Sequence, residues 1–206
     1  MSALRSVCVF CGARPGSNPA HVQAARDTGA LIGRQGWRLV YGAGDVGLMG
    51  EVARAAMAAG AATMGVIPTH LIGAEQANRS ADHSAGRADP PTPVITQTMH
   101  ERKKVMFMNA DAVVLLPGGA GSLDEFFEVL TWAQIGLHAK PILLFNNDGY
   151  WAPLIALLDH VVDQGFAARS MLNLFTVVPD IAALGMALHK ALTNDPSPAL
   201  HLHASE

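Results

Sequence analysis

The chain has 206 residues, half of them hydrophobic and 15% charged, with a formal net charge of −3. That is enough for one substantial core and too little for two ordinary domains. The charge balance has no basic excess, which argues against nucleic acid as a partner. No stretch approaches the ~18–20 apolar residues of a membrane span, and the first apolar run is too short for a signal peptide. The expectation is a cytoplasmic protein that works on small molecules.

Ser6-Val-Cys-Val-Phe10 reads as a first strand, Cys11 to Asn18 as a loop containing Gly12 and Ser17, and residues 19 to about 35 as a helix stopped by Gly36. Cys8 and Cys11 make a Cys-x-x-Cys. A redox motif of that kind opens a helix, whereas Cys8 falls inside a strand, so two small core residues are the better reading. Arg38 to Tyr41 is a second strand, and Gly42-Ala-Gly44-Asp-Val-Gly47 leads from it into a helix reaching about Ala59. This is G-x-G-x-x-G between a strand and a helix, which raises a dinucleotide site. Such a site expects an acidic residue at the end of the following strand. Here that strand ends in Pro68-Thr69-His70, and the motif follows the second strand, not the first. A nicotinamide cofactor is therefore disfavoured.

Residues 71–93 are polar, small and proline-bearing, and read as a long surface loop. It is either a lid over a pocket or a tolerated insertion. A short strand follows at 93–97, then a helix from Met99 to about Ala110 that places Met99, Arg102 and Met106 in one sector. Ala112 to Leu116 is a continuous apolar run, as a strand covered on both faces requires. Pro117-Gly118-Gly119-Ala120-Gly121 then turns sharply into a further helix, with Ser122 as N-cap and Ser122 and Glu125 spaced as a capping box. A glycine turn feeding a helix N-terminus is an anion site, and Arg102 is a cation able to hold a phosphate in bidentate fashion. Strands at 141–145 and 175–178 alternate with helices at 150–164 and from an Asp180 cap to about Leu192. Residues 193–206 hold two prolines and no core pattern and read as a frayed tail. His201 and His203 lie there without a Cys or carboxylate partner, so no metal site is expected.

About seven strands alternating with helices predict a Rossmann-like, doubly wound parallel sheet with helices on both faces, in a single α/β domain over residues 1–192. Ligands of such sheets sit outside the carboxyl ends of the strands, so both glycine turns can meet in one pocket. The chemistry available is narrow. There is no G-x-S-x-G elbow and no G-x-x-x-x-G-K loop. None of Lys103, Lys104, Lys140 and Lys190 stands in a pyridoxal-phosphate setting, so no cofactor is expected. A carboxylate beside a phosphate pocket suits hydrolysis of an N-glycosidic bond, because it stabilises an oxocarbenium-like transition state and orients or deprotonates water. Glu125 is the candidate for that role, with Arg102 binding substrate and assisting departure of the base. Glu125 as a helix cap is the competing reading. A nucleotide-binding or carrier protein without turnover is the alternative function.

Met99-His-Glu-Arg-Lys103 followed by Pro117-Gly-Gly-Ala-Gly-Ser-Leu-Asp-Glu125 resembles the paired signature of the LOG family, MHxRK and PGGxGTxxE. Those proteins are cytokinin riboside 5′-monophosphate phosphoribohydrolases, long labelled lysine decarboxylases. The resemblance implies catalytic roles for Arg102 and Glu125. It implies nucleotide-pocket roles for Met99, for Pro117, Gly118, Gly119, Gly121 and Ser122, for Gly42, Gly44 and Gly47, and for Gly12 and Ser17. Glu101 and Lys103, which flank Arg102, would be secondary pocket or ion-pair residues. It also implies a nucleoside 5′-monophosphate with adenine or an N6-substituted adenine as substrate, and a homodimer. The helix around Trp132 to Ile135 is the candidate interface. Departures from the family pattern are Ala13-Arg14 where serines are common, Ala43 for a glycine, and Ser122 for a threonine.

Overall fold

The computed structural model describes residues 4–75 and 91–193. Seven strands form one sheet: β1 Ser6–Phe10, β2 Arg38–Tyr41, β3 Thr63–Pro68, β4 Val94–Thr96, β5 Ala112–Leu115, β6 Ile142–Phe145 and β7 Thr176–Val178. Between and after them run α1 Pro19–Arg34, α2 Gly47–Ala58, α3 Ile72–Glu75, α4 Met99–Met108, α5 Ala120–Gln134, α6 Ala152–Asp163 and α7 Ile181–Thr193. The strand order is β4-β3-β2-β1-β5-β6-β7, and every pairing is parallel. The expected doubly wound α/β sheet is thus the observed one.

Alternation along the strands divides the core into two layers. Val7 and Val9 of β1 pack with residues of α1, α2 and α7, whereas Cys8 and Phe10 pack with residues of α4, α5 and α6. The central strands β1 and β5 are buried on both faces, which is why they read as unbroken apolar runs. Cys8 and Cys11 belong to opposite layers, so the Cys-x-x-Cys cannot close as a redox pair. Burial above all, with the Glu125 charge second, pushes the Cys8 thiol up, and it stays protonated.

Winding runs one way from β1 through β2 and β3 to β4, then jumps back to β5 beside β1 and continues the other way. The connections leaving β1 and β5 diverge, opening a crevice at the carboxyl edge of the sheet between them. Elsewhere, the segment expected to be loop from residue 71 begins with a helical turn, Thr69–Leu71, continued by α3. The lid reading of the remainder falls on residues 76–90, outside those described. The tail from 194 with His201 and His203 is outside them too, while Thr193 belongs to α7. No described helix is long and apolar enough to cross a membrane.

Candidate active site

A cavity of about 640 Å³ occupies the crevice, a size suited to a nucleotide-scale ligand. The loop after β1 and the turn after β5 form its floor together, since the Gly12 N–H donates to the Pro117 carbonyl at 3.0 Å. Of the residues singled out in the sequence, Gly12, Ser17, Met99, Arg102, Pro117, Gly118, Gly119, Gly121, Ser122 and Glu125 line this cavity.

The N-terminus of α5 opens into it. The helix begins at Ala120 with Gly119 as N-cap, and no side chain caps it. Its first N–H groups are left for a ligand or water, the condition for an anion site. This corrects the capping expectation. Ser122 is inside the first turn and 3% exposed, with its hydroxyl tucked so closely under Gly118 that a Cβ there would strike it. Glu125, a turn further along, is out of reach of the cap and lines the cavity half-buried. The capping box belongs to α4 instead. Thr98 accepts from the Glu101 N–H at 3.1 Å, and the Glu101 carboxylate accepts from the N–H groups of Gln97 at 2.7 Å and Thr98 at 3.3 Å. Glu101 is therefore a helix cap and not a wall of the cavity.

For Lys103 the ion-pair alternative holds and the pocket one does not. Its ammonium pairs with Asp124 at 2.9 Å and Glu128 at 3.1 Å, tying α4 to α5, and it does not line the cavity. Arg102, one residue earlier, turns the other way. The residue is 4% exposed, and its guanidinium donates from Nη2 to the Gly42 carbonyl at 2.6 Å and from Nε to the Val66 carbonyl at 3.2 Å. The sulfurs of Met99 and Met49 lie at 3.8 and 3.9 Å. Backbone carbonyls from β3 and from the residue just after β2 thus hold a buried cation at the cavity wall in a fixed orientation, which a surface arginine would not have.

The Gly42–Gly47 turn is where expectation and structure part most. Gly42, Gly44 and Gly47 do not line the cavity. A Cβ at Gly42 would strike the Arg102 guanidinium, and one at Gly47, whose φ is +57°, would strike the Ala13 backbone. These glycines make room for protein and not for a ligand, which removes the structural basis for a dinucleotide cradle. What the turn presents to the cavity is Leu48 and Met49 at the start of α2.

Sequence reasoning missed Arg14, His21, Leu71 and Tyr150, all of which line the cavity. The Tyr150 hydroxyl donates to the Gly118 carbonyl at 2.6 Å, bracing the glycine turn. His21 stands in the first turn of α1 with its ring edge-on to Tyr150, centroids 5.0 Å apart. No local motif marks these positions; only the convergence of strand ends does. The four lysines stand outside the cavity lining. Among them, Lys140 donates to the Phe107 carbonyl at 2.7 Å and lies 4.1 Å from the Phe107 ring centroid. No lysine is therefore in place for a pyridoxal-phosphate aldimine.

A family described as "Possible lysine decarboxylase" matches residues 49–188. A probable cytokinin riboside 5′-monophosphate phosphoribohydrolase of Oryza sativa subsp. japonica is 42% identical over 183 residues, covering 89% of this chain and 77% of the relative. The cytokinin riboside 5′-monophosphate phosphoribohydrolase of Rhodococcoides fascians is 40% identical over 177 residues, covering 86% of this chain and 85% of the relative. In fold, the chain is similar to a molybdenum cofactor carrier protein from Chlamydomonas reinhardtii, with a TM-score of 0.66, 21% identity and coverage of 92% of this chain and 99% of that one. By sequence, then, the chain belongs to the family of the cytokinin riboside 5′-monophosphate phosphoribohydrolases, whose older description as lysine decarboxylases its cavity does not support.

Proposed function

We propose that the protein hydrolyses the N-glycosidic bond of adenosine-type nucleoside 5′-monophosphates, giving free base and ribose 5-phosphate. The observation that carries this reading is the convergence of Arg102, Glu125 and the uncapped N-terminus of α5 on one cavity. The 5′-phosphate sits at Gly118–Ser122, where free N–H groups and the helix dipole favour an anion. Glu125, one turn along the same helix, then faces the ribose. There a carboxylate stabilises positive charge developing at C1′ and takes a proton from the attacking water, whose oxygen bonds to C1′ as the C–N bond breaks. Arg102 binds the substrate and favours departure of the base, which leaves with its bonding electrons and gains a proton. Leu48, Met49, Leu71 and Met99 line the side of the cavity under β2, β3 and β4. They form an apolar, polarisable surface for adenine or an N6-substituted adenine.

The fold is shared with a carrier protein, and fold alone does not choose between binding and turnover. A carrier has no need of a carboxylate beside the ribose. The deciding experiment is a chromatographic assay of base release from AMP, isopentenyladenosine monophosphate and the matching nucleosides. Release from the monophosphates only, lowered about 10²–10⁴-fold in Glu125→Ala with melting unchanged, is expected for a general base or charge stabiliser. No release by the wild type, with nucleotide binding intact, would establish the carrier reading.

We further propose that the protein works in the cytoplasm and as a homodimer; no described helix is long and apolar enough to cross a membrane. At the end of α5, Ile135 is 64% exposed and Leu137 just beyond it 69%, apolar surface that a second copy would cover. Trp132, placed in the interface on sequence grounds, instead packs edge-on against Phe107 with centroids 5.1 Å apart. A light-scattering mass of a single 21.6 kDa chain would count against the dimer.

A further inference from the structure

His21 is 8% exposed, and its Nδ1 is buried with no hydrogen-bond partner among the described residues. A buried, unsatisfied ring nitrogen is a standing cost that an apolar ring of similar size avoids. The ring lines the cavity, flanked by Gly16 of the β1 loop and by Tyr150, whose hydroxyl braces Gly118. Its Cδ2 edge is the one turned to Gly16, since a Cβ built on that glycine would lie 3.0 Å from Cδ2.

We propose that His21 is a phosphate-binding residue of this site. It would close the cavity wall at the anion end and donate a hydrogen bond from Nδ1 to the 5′-phosphate. Half a turn about Cβ–Cγ exchanges Nδ1 with Cδ2. The nitrogen then faces Gly16, itself a lining residue of the cavity, and a C–H group fills the buried position where no partner exists. The ligand thus supplies the missing partner, and the mismatch in the free protein is what keeps the ring available.

Sheet order explains why the contact is to phosphate rather than base. Gly16, Gly118 and Tyr150 follow β1, β5 and β6, the same side of the cavity as the α5 N-terminus. The apolar residues Met49, Leu71 and Met99 follow β2, β3 and β4. The net charge of −3 supplies no general attraction for a phosphate, so local donors must provide it.

This assignment rests on the hydrolase reading for the identity of the substrate, but its test does not depend on turnover. Binding of inorganic phosphate and of AMP would be measured by calorimetry for wild type, His21→Phe and His21→Asn, alongside KM and kcat for AMP. Phenylalanine keeps the ring and its contact with Tyr150, and asparagine keeps a nitrogen near the place of Nδ1. The expected result for His21→Phe is a melting temperature at or above wild type and phosphate affinity reduced about tenfold or more, the worth of one hydrogen bond to a charged group. KM should rise in parallel, with kcat changed far less, and His21→Asn should recover part of the affinity. Unchanged phosphate affinity in His21→Phe, or equal losses in both variants, would overturn the proposal and leave His21 a packing residue. Should the phenylalanine variant not fold, His21→Leu against His21→Asn makes the same comparison. A wild type that binds phosphate yet releases no base would remove the hydrolase reading and leave the binding comparison standing.

Discussion

Two glycine turns leave parallel strands of this sheet and enter helices, and they do opposite things. At Gly42–Gly47 the space without side chains is occupied by the protein: the Arg102 guanidinium over Gly42, the Met49 side chain over Gly44 and the Ala13 backbone against Gly47. At Gly118–Gly121, Gly118 is filled from below by Ser122, but a Cβ on Gly119 or Gly121 would meet nothing within 4 Å. The first turn is a socket for a cation and the second an opening towards a ligand. They cooperate, because the carbonyl of Gly42 holds Arg102 at the wall of the cavity into which the α5 N-terminus opens. A glycine therefore marks close approach, while what approaches is decided by the neighbouring strands.

Substitution to alanine separates the two roles most sharply at Gly47 and Gly121. Gly47→Ala adds a side chain at φ +57° against immovable backbone, and should cost about 3 kcal/mol or more from left-handed strain plus overpacking. At roughly 2–4 °C per kcal/mol for a chain of this size, a fall in Tm near 10 °C follows. Gly121→Ala should do the reverse. Position 121 is in the first turn of α5 with open space around it, so alanine gains up to about 1 kcal/mol of helix propensity. It should weaken inorganic phosphate binding by calorimetry all the same. If both variants melt alike and bind alike, the distinction between socket and opening is wrong.

A smaller effect tests the interior of the first turn. Ala43 has φ +57°, and a Cβ on Gly65 would lie 2.7 Å from the Ala43 Cβ. Ala43→Gly relieves left-handed strain but loosens the unfolded chain, so its net gain should be about 0.5–1 kcal/mol. Gly65→Ala should destabilise the wild type more than it destabilises Ala43→Gly, with a coupling of about 1 kcal/mol in denaturant melts. Additive effects would mean that the two positions do not share the space.

Much of the fold was legible because strand burial writes itself into composition. β1, β5 and β6 read as apolar runs, and their lengths and spacing imply crossover helices. Asp180 was readable as a cap, and its carboxylate accepts from the Ala183 N–H at 2.8 Å. The motif at residues 117–125 pointed to the cavity, although its capping chemistry was misread. The Ser/Thr-x-x-Glu pattern fits a cap equally well at Thr98–Glu101 and at Ser122–Glu125, and only the point where each helix begins tells them apart. Glu101 and Lys103 looked like site residues because they flank Arg102. On a helix, neighbours in sequence point about 100° apart, so Glu101 turns back to its cap and Lys103 towards Asp124 and Glu128.

By itself, the sequence determined the order of the strands and of the longer helices, the parallel sheet and the presence of a glycine turn at a helix N-terminus. All of these follow from local periodicity and backbone freedom. The tertiary structure alone decided that Gly42 and Val66 fasten Arg102, that Gly42–Gly47 packs on protein, and that His21 and Tyr150 reach the same cavity as Glu125. The first two join neighbouring elements far apart in sequence, and the last joins residues brought together by the reversal of winding between β1 and β5. No periodicity within a single element encodes a contact made across that switch point.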